Sequence, residues 1–209
     1  MKIALNILLI AFLLVGCESI TPKPKVNIYL KNEVDSSKSN IIALPSMIMS
    51  DDYQLGAREY SNSLADGLFA KNWSDAIAEG KVIPVPKAAL DQLPDAYTGL
   101  GKLLASMDAV SAIEQTTELS GLLEAVGSKF GDGAFAFALY DKEESQYKSS
   151  KSLKLTLGLF DVKKMTWAWI TKAQFESPKV GPAIPYEVAS QQLMEASFEE
   201  LYAQKTLKK

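Results

Sequence analysis

The chain has 209 residues, 47% of them hydrophobic, and its 22 basic and 25 acidic side chains leave a formal charge of −3. This length is ordinary for one domain, and the hydrophobic fraction supports a packed core rather than disorder. The chain has no histidine and one cysteine, which excludes intrachain disulfides, Ser-His-Asp and Cys-His catalysis, and zinc sites built on histidine or cysteine. A mildly acidic chain also has no overall attraction to nucleic acid.

The first 16 residues have the pattern of an export signal. Lys2 supplies a positive charge, residues 3–15 are almost all apolar, and small Gly16 precedes Cys17. A transmembrane anchor is disfavoured because crossing the hydrocarbon takes about 20 residues, and a cytosolic chain with a chance apolar start is the other alternative. Leu14-Val15-Gly16-Cys17 resembles the lipobox of bacterial lipoproteins. The resemblance implies cleavage between Gly16 and Cys17, a diacylglycerol on the Cys17 thiol, and attachment to a membrane through acyl chains.

Residues 17–25 are predicted to be the lipidated cysteine and its tether. The segment after Cys17 reads ESITPKPK, and its alternating prolines favour a semi-extended chain that builds no core. In the lipoprotein family an aspartate after the cysteine favours retention in the inner membrane, and Glu18 is not that residue. The resemblance therefore implies the outer membrane, facing the periplasm. Residues 26–209 are predicted to form a single globular domain.

The first half of this domain predicts short extended segments alternating with helices. Residues 26–30 read as a short edge strand, 40–45 as a buried strand that 46–49 prolongs, and 81–86 as an extended segment at a sheet edge because of its two prolines. Apolar residues at helical spacing predict helices over 54–72, 88–93 and 97–115. Asp51 and Asp52 are predicted to cap the first of these helices.

The second half carries the clearest patterns. A helix is predicted from Thr117 to a stop at Gly131, followed by a buried strand over 133–140 whose phenylalanines face one side and whose alanines face the other. A solvated loop is predicted over 141–152. Alternation over 153–159 and 167–175 predicts an antiparallel hairpin, and a final helix is expected from Pro185 to about Gln204. The expected fold is α/β (α+β), with one mixed sheet of about four to five strands packed by three to five helices.

Residues 119–169 also resemble a family. A helix leads to GAFAFALYD, then a polar loop, then LKLTLGLFDVKKMTWAW. This is similar to small α/β envelope lipoproteins related to the amino-terminal domain of the Tol translocation protein, the curli secretion lipoprotein and the penicillin-binding-protein activator lipoproteins. Their hairpin turn reads Asp-Leu-x-Thr-Gly-x-Val-x-Trp, which Asp161, Val162 and Trp169 match. Met165 stands where the family has a glycine that supplies a positive φ. The motif carries no catalytic residues in those relatives.

Several residue groups carry a functional interpretation beside a structural one. Trp167 and Trp169 are candidates for partner contact through an exposed aromatic platform, and packing on a half-buried strand is the favoured alternative. Four aspartates, Asp51, Asp52, Asp66 and Asp75, lack the spacing of a calcium loop. The acidic residues Asp141, Glu143 and Glu144 are candidates for the acid and base of glycoside hydrolysis, which needs a carboxylate pair, with a solvated loop as the default. Gly131-Asp132-Gly133 lacks the Gly-Lys-Ser/Thr ending of a phosphate loop and reads as a turn.

The sequence thus predicts a lipid-anchored envelope lipoprotein that acts as a binding, adaptor or assembly module. No catalytic residue, cofactor or metal is expected, and the expected partners are the membrane, through Cys17, and an envelope protein. One alternative is an oligomeric secretion-pore component of the curli-lipoprotein type, for which only residues 153–175 approach the required strand length. A second is a histidine-independent envelope hydrolase, for which no Gly-x-Ser-x-Gly motif is present.

Overall fold

A computed structural model describes residues 23–29, 38–50, 59–60, 63–77, 79–92, 103, 107, 117–144, 151–176 and 186–207. These residues form one mixed sheet of eight strands and four helices, which confirms the predicted α/β class with a larger sheet than expected. The strands are β1 (Lys25–Tyr29), β2 (Ile41–Ala43), β3 (Met47–Ser50), β4 (Glu59–Tyr60), β5 (Val82–Pro84), β6 (Ala134–Glu144), β7 (Lys151–Asp161) and β8 (Thr166–Glu176). The helices are α1 (Ser63–Ala76), α2 (Lys87–Leu90), α3 (Thr117–Phe130) and α4 (Tyr186–Ala203).

The sheet is built around the antiparallel strands β6, β7 and β8. Its order is β1-β8-β7-β6-β2-β5, so the predicted hairpin lies in the middle and the two predicted edge strands, β1 and β5, lie at the ends. β2 and β3 both pair with β6 in parallel, one after the other along its length, and β4 pairs with β3. Residues 44–46 separate β2 from β3, because Pro45 has no amide proton to donate to a ladder.

Two apolar layers cover the two faces of the sheet. The first core layer lies between the sheet and helices α1 and α4, and the second lies between the sheet and helices α2 and α3 with Leu103 and Met107. The alanines of β6 face the first layer, and Phe135, Phe137 and Leu139 face the second. This division was predicted from the sequence, and the small alanine side chains leave room for α1 and α4.

The helix predicted over 54–72 has other bounds in the structure, at its start and at its end. Tyr60, predicted on its apolar face, lies in β4 opposite Met47, and α1 begins only at Ser63. The helix then continues past the predicted end to Ala76, because Phe69, Trp73 and Ala76 follow helical spacing and are all buried in the first core layer. Asp51 and Asp52, the predicted caps, lie outside the described residues.

The solvated loop predicted over 141–152 is also shorter than expected. β6 continues to Glu144 and β7 begins at Lys151. In this register Asp141 lies opposite Lys154, and Glu144 lies opposite Lys151. Opposite charges at directly paired positions favour a longer antiparallel ladder, which a hydrophobicity pattern alone does not reveal.

Candidate contact surfaces

The predicted lipidation site lies just before the described part of the chain. Gly16 and Cys17 are outside the described residues, so cleavage and acylation stay predictions. The first described residue, Lys23, is six residues after Cys17. Since an extended chain spans at most about 3.6 Å per residue, Lys23 lies within about 22 Å of the cysteine.

Trp167 and Trp169 do not form an exposed platform. Their exposed fractions are 1% and 2%, and they lie in different core layers. The β7–β8 ladder pairs Leu159 with Trp169 and Phe160 with Trp167, so Ala168 is an extra residue in β8. This bulge turns Trp167 to the face opposite Trp169, whereas simple alternation predicts one shared face. The alternative interpretation of these residues, as core packing, is the one that the structure shows.

Each tryptophan belongs to an aromatic cluster of its own layer. In the first layer Trp169 stacks on Trp73, with ring centroids 5.7 Å apart and planes 20° apart, and Phe198 of α4 meets Trp73 edge-on at 5.5 Å. In the second layer Trp167 meets Phe137 and Phe160 at 5.4 and 5.3 Å in edge-on geometry. These contacts join β8 to α1 and α4 on one side and to β6 and β7 on the other.

Gly158 makes the position of Trp167 possible, and the sequence analysis did not identify it. A Cβ at this position would lie 2.6 Å from Cζ3 of Trp167 and 2.7 Å from Sδ of Met107. Both distances are far shorter than ordinary carbon contacts. The signal available in the sequence was a lone glycine inside a strongly alternating strand, which is typical of a bulge or a close approach.

The hairpin turn between β7 and β8 is held by Asp161 and includes a residue of positive φ, Met165. Oδ1 of Asp161 accepts hydrogen bonds from the backbone N–H groups of Lys163 and Lys164, at 3.0 and 3.1 Å. Met165 has φ of 52°, the left-handed region in which the family has glycine. Its side chain packs against the second core layer, and this apolar contact offsets part of the strain. The turn is structural and brings no reactive groups together.

Two of the aspartates singled out in the sequence, Asp66 and Asp75, lie beside groups that explain them structurally. Oδ1 of Asp66 accepts the backbone N–H of Ser46 at 2.6 Å, which joins α1 to the segment between β2 and β3. Burial, with a smaller contribution from the Asp75 carboxylate, raises the pKa of the Tyr202 hydroxyl. Asp141, Glu143 and Glu144 lie on β6 and not in a loop. Among the described residues, no three acidic or cysteine side chains converge as a metal site would require.

The Gly131-Asp132-Gly133 segment is a turn, as the sequence analysis favoured. Gly131 ends α3 with φ of 90°, and its N–H donates to the carbonyl of Gly127 at 2.8 Å. A Cβ on Gly133 would lie 2.6 Å from the carbonyl oxygen of Asn40. Glycine at 133 therefore lets β6 begin directly beside β2.

An acidic groove lies where the tether meets the domain. Its volume is about 500 Å³, and it separates the start of β1 from the outer side of α4. Glutamates on α4 make it acidic, and Val26 and two alanines supply apolar surface; the lining residues are Lys23, Pro24, Val26, Gln192, Glu195, Ala196, Glu199, Glu200 and Ala203. Glu195 and Glu199 are exposed.

A polar sheet face lies on the opposite side of the molecule. On the face of the sheet that carries the second core layer, some side chains of β1, β8 and β7 lie beyond that layer. They lie beside each other in the ladder and are exposed or half-buried. These residues are Lys25, Asn27, Tyr29, Lys154, Thr156, Lys172 and Gln174. We call these seven residues the lysine face. Nζ of Lys172 lies 6.0 Å from the centre of the Tyr29 ring, within reach of a cation–π interaction. Tyr29 is 40% exposed.

No family model and no curated protein sequence matches the chain. Among solved structures it is similar to the PelC dodecamer from Paraburkholderia phytofirmans, with a TM-score of 0.43 and 11% identity, over 85% of this chain and 96% of that one. A variant of PelC in a second crystal form gives a TM-score of 0.42 and 8% identity, over 85% of this chain and 95% of that one.

Within the described residues, no helix is both long and apolar enough to cross a bilayer.

Proposed function

We propose that this protein is a lipid-anchored lipoprotein of the bacterial cell envelope that acts by contact with other envelope proteins. The observation that carries the proposal is Leu14-Val15-Gly16-Cys17 at the end of an apolar leader, in a chain with no other cysteine. The acyl chains on Cys17 hold the protein on the membrane, since each buried methylene contributes about 0.8 kcal/mol and two chains suffice for stable anchoring. Outer-membrane attachment facing the periplasm is part of the proposal.

The arrangement of surfaces supports contact as the mode of action. The tether is too short to carry the start of β1 more than about 22 Å from Cys17. The acidic groove and the β1 side of the lysine face both include residues of this first strand or its approach. A partner on the same membrane therefore meets an acidic groove on one side of the domain and three lysines on the other, with Asp141 beside Lys154. Complementary charge of this kind steers encounter and sets orientation.

The anchor is tested by replacing Cys17 with serine. The C17S variant should accumulate as an unprocessed precursor and should take up no fatty-acid probe, because the acceptor thiol is gone. The matched control is Gly16→Ala, which keeps a small residue before the cysteine and the lipobox pattern, and which should be processed and labelled normally. Labelling of the C17S variant at the native level would contradict the anchor.

The contact role is tested by reversing charge on the lysine face. The double variant Lys25→Glu and Lys172→Glu should lose most of the crosslinked partner recovered from intact envelopes. The matched control, Lys71→Glu with Lys163→Glu, changes the net charge equally at two exposed lysines outside that face. Both double variants should have the same midpoint of thermal unfolding as the native protein. Equal recovery of partner by the two double variants would contradict a role for the lysine face.

A further inference from the structure

The outer edge of β1 differs from the opposite edge of the sheet. β1 is the terminal strand, and across the described residues no strand pairs with its outer side. Its five residues pair with β8 in regular register, with no bulge and no proline. At the other end, β5 finishes in Pro84 and Pro86 follows two residues later. Prolines, bulges and charged side chains are the devices that protect sheet edges from further pairing. β1 contains no proline and no bulge, and its one charged residue is Lys25, which follows Pro24 at the start of the strand.

The sequence of β1 is complementary to itself. In an antiparallel pair centred on Asn27, all five residues of Lys25-Val-Asn-Ile-Tyr29 find a partner. Val26 lies opposite Ile28 of the second strand, and Lys25 lies opposite Tyr29. The first pair extends the first core layer, against which Val26 and Ile28 already pack. The pair of Lys25 and Tyr29 places an ammonium group beside an aromatic ring on the lysine face. Within one copy, Lys172 already lies beside Tyr29 in the same way.

We infer that β1 is a dimerisation strand, which pairs antiparallel with β1 of a second copy about a two-fold axis at Asn27. The pairing joins the two sheets into one continuous sheet and satisfies the outward backbone groups of both edges. An interface of this kind uses the same patch on both subunits, as two-fold symmetry requires.

The lipid anchor is compatible with this dimer and favours it. The two Lys25 residues lie at opposite ends of the paired strands, about 14 Å apart along the strand direction. Each tether reaches about 22 Å, so both acyl groups reach the same membrane surface. Confinement to one surface raises the effective concentration of the second copy. The pairing itself needs only the folded domain, and it stands or fails independently of lipidation at Cys17.

Charge exchange at the two-fold position tests the inference. Asn27 is exposed, so both Asn27→Asp and Asn27→Lys should fold normally, which far-ultraviolet circular dichroism and thermal unfolding would verify. In the full chain in detergent, the native protein should have the mass of a dimer. Each variant alone should be monomeric, with dimer affinity at least tenfold lower, because two like charges meet at the axis. An equal mixture of the two variants should restore the dimer.

Cysteine crosslinking gives a second measurement. Directly opposite residues of antiparallel strands have Cα atoms about 4.5 or 5.5 Å apart, and both distances are within disulfide range. Asn27→Cys should therefore form an intermolecular disulfide in membranes. Lys172→Cys is the matched control: it pairs with Asn27 one strand further in, so two copies would be about 14 Å apart and should not crosslink.

Several results would overturn the inference. The first is a monomeric native protein, and the second is a dimer that survives both charge variants. The third is a crosslink at 172 in place of 27, which would mean that the copies associate through another surface. If the C17S variant still dimerises, the inference holds even where the anchor fails. Pairing of β1 with a strand of a different protein would appear as a crosslink from position 27 to that protein and would also overturn it.

Discussion

Trp167 depends on the absence of a side chain at Gly158. The two residues lie in adjacent strands, and the ring occupies the space that a Cβ at 158 would need, 2.6 Å from Cζ3. Met107 closes the same space from the other side. Small changes of volume are strongly felt where packing is this close.

Gly158→Ala should therefore destabilise the protein by about 1–3 kcal/mol, because either Trp167 or the backbone of β7 must shift. The matched control is Gly121→Ala, at an exposed position inside α3 where a new Cβ meets no atom within 4 Å. The control should be neutral or should stabilise by up to about 1 kcal/mol, since alanine favours helix over glycine. Urea denaturation measures both. Equal free energies of unfolding for the two variants would refute the close fit.

The ionisation of Tyr202 makes the stability of the fold depend on pH. Burial raises the pKa of its hydroxyl, and the nearby Asp75 carboxylate raises that pKa further. The folded state thus holds the proton more tightly than the unfolded state, whose tyrosines titrate near 10. Stability contributed by the neutral hydroxyl is complete below pH 10 and is lost as pH rises through the folded pKa.

Asp75→Asn should lower the pKa of Tyr202 while leaving it above the ordinary value, because burial persists. An ultraviolet titration of tyrosine ionisation measures this, with Tyr202→Phe identifying the signal. Glu187→Gln, an exposed change at the far end of α4, should leave the titration as it was. An unchanged curve for Asp75→Asn would show that its carboxylate does not act on Tyr202.

Residue types predicted some of these features and could not predict others. The absence of histidine and the single cysteine were direct evidence on chemistry. The burial of both tryptophans followed from ordinary strand packing. Their placement in opposite layers did not, because the bulge at Ala168 depends on how β8 aligns with β7, and nothing in the local pattern fixes that register.

The β7–β8 turn is held by the side chain of Asp161. One carboxylate oxygen of Asp161 holds two backbone N–H groups, while Lys164 approaches the other oxygen only at 3.7 Å and is 59% exposed. The hydrogen bonds should therefore matter more than the ion pair.

Asp161→Ala should cost about 1–2 kcal/mol, since two turn amides lose their acceptor. Lys164→Ala should change stability by less than about 0.5 kcal/mol, because exposed ion pairs contribute little. Thermal unfolding compares the two. A larger loss for Lys164→Ala than for Asp161→Ala would contradict this account of the turn.

Whole elements were predictable where the pattern was long. The alternation of β7 and β8 and the helical spacing of α3 and α4 indicated their type and order. The region around β4 and α1 was misread because Tyr60 fits a helical stripe by chance, whereas its pairing with Met47 is a contact between strands distant in sequence. Propensity and periodicity describe local preference, and such tertiary pairing overrides them.

At the scale of the whole molecule, the proposed anchor and tether precede β1, the terminal strand of the sheet, which has no strand on its outer side among the described residues. If Cys17 is lipidated as we propose, the six residues up to Lys23 limit how far the domain can lie from the membrane. The acidic groove beside α4 and the lysine face lie on opposite sides of the sheet, so the domain presents a different charge in each direction. The sequence predicted the anchor and the edge strand, while the two charged surfaces emerge only from the register of the strands.

The most direct test of this account is the intact mass of the protein purified from its native membranes, with the amino-terminal peptide sequenced by fragmentation. We expect a chain that begins at Cys17 and carries a diacylglycerol on the sulfur, with or without a further acyl group on the amine. A chain that begins at Met1 and carries a free thiol at Cys17 would contradict the account.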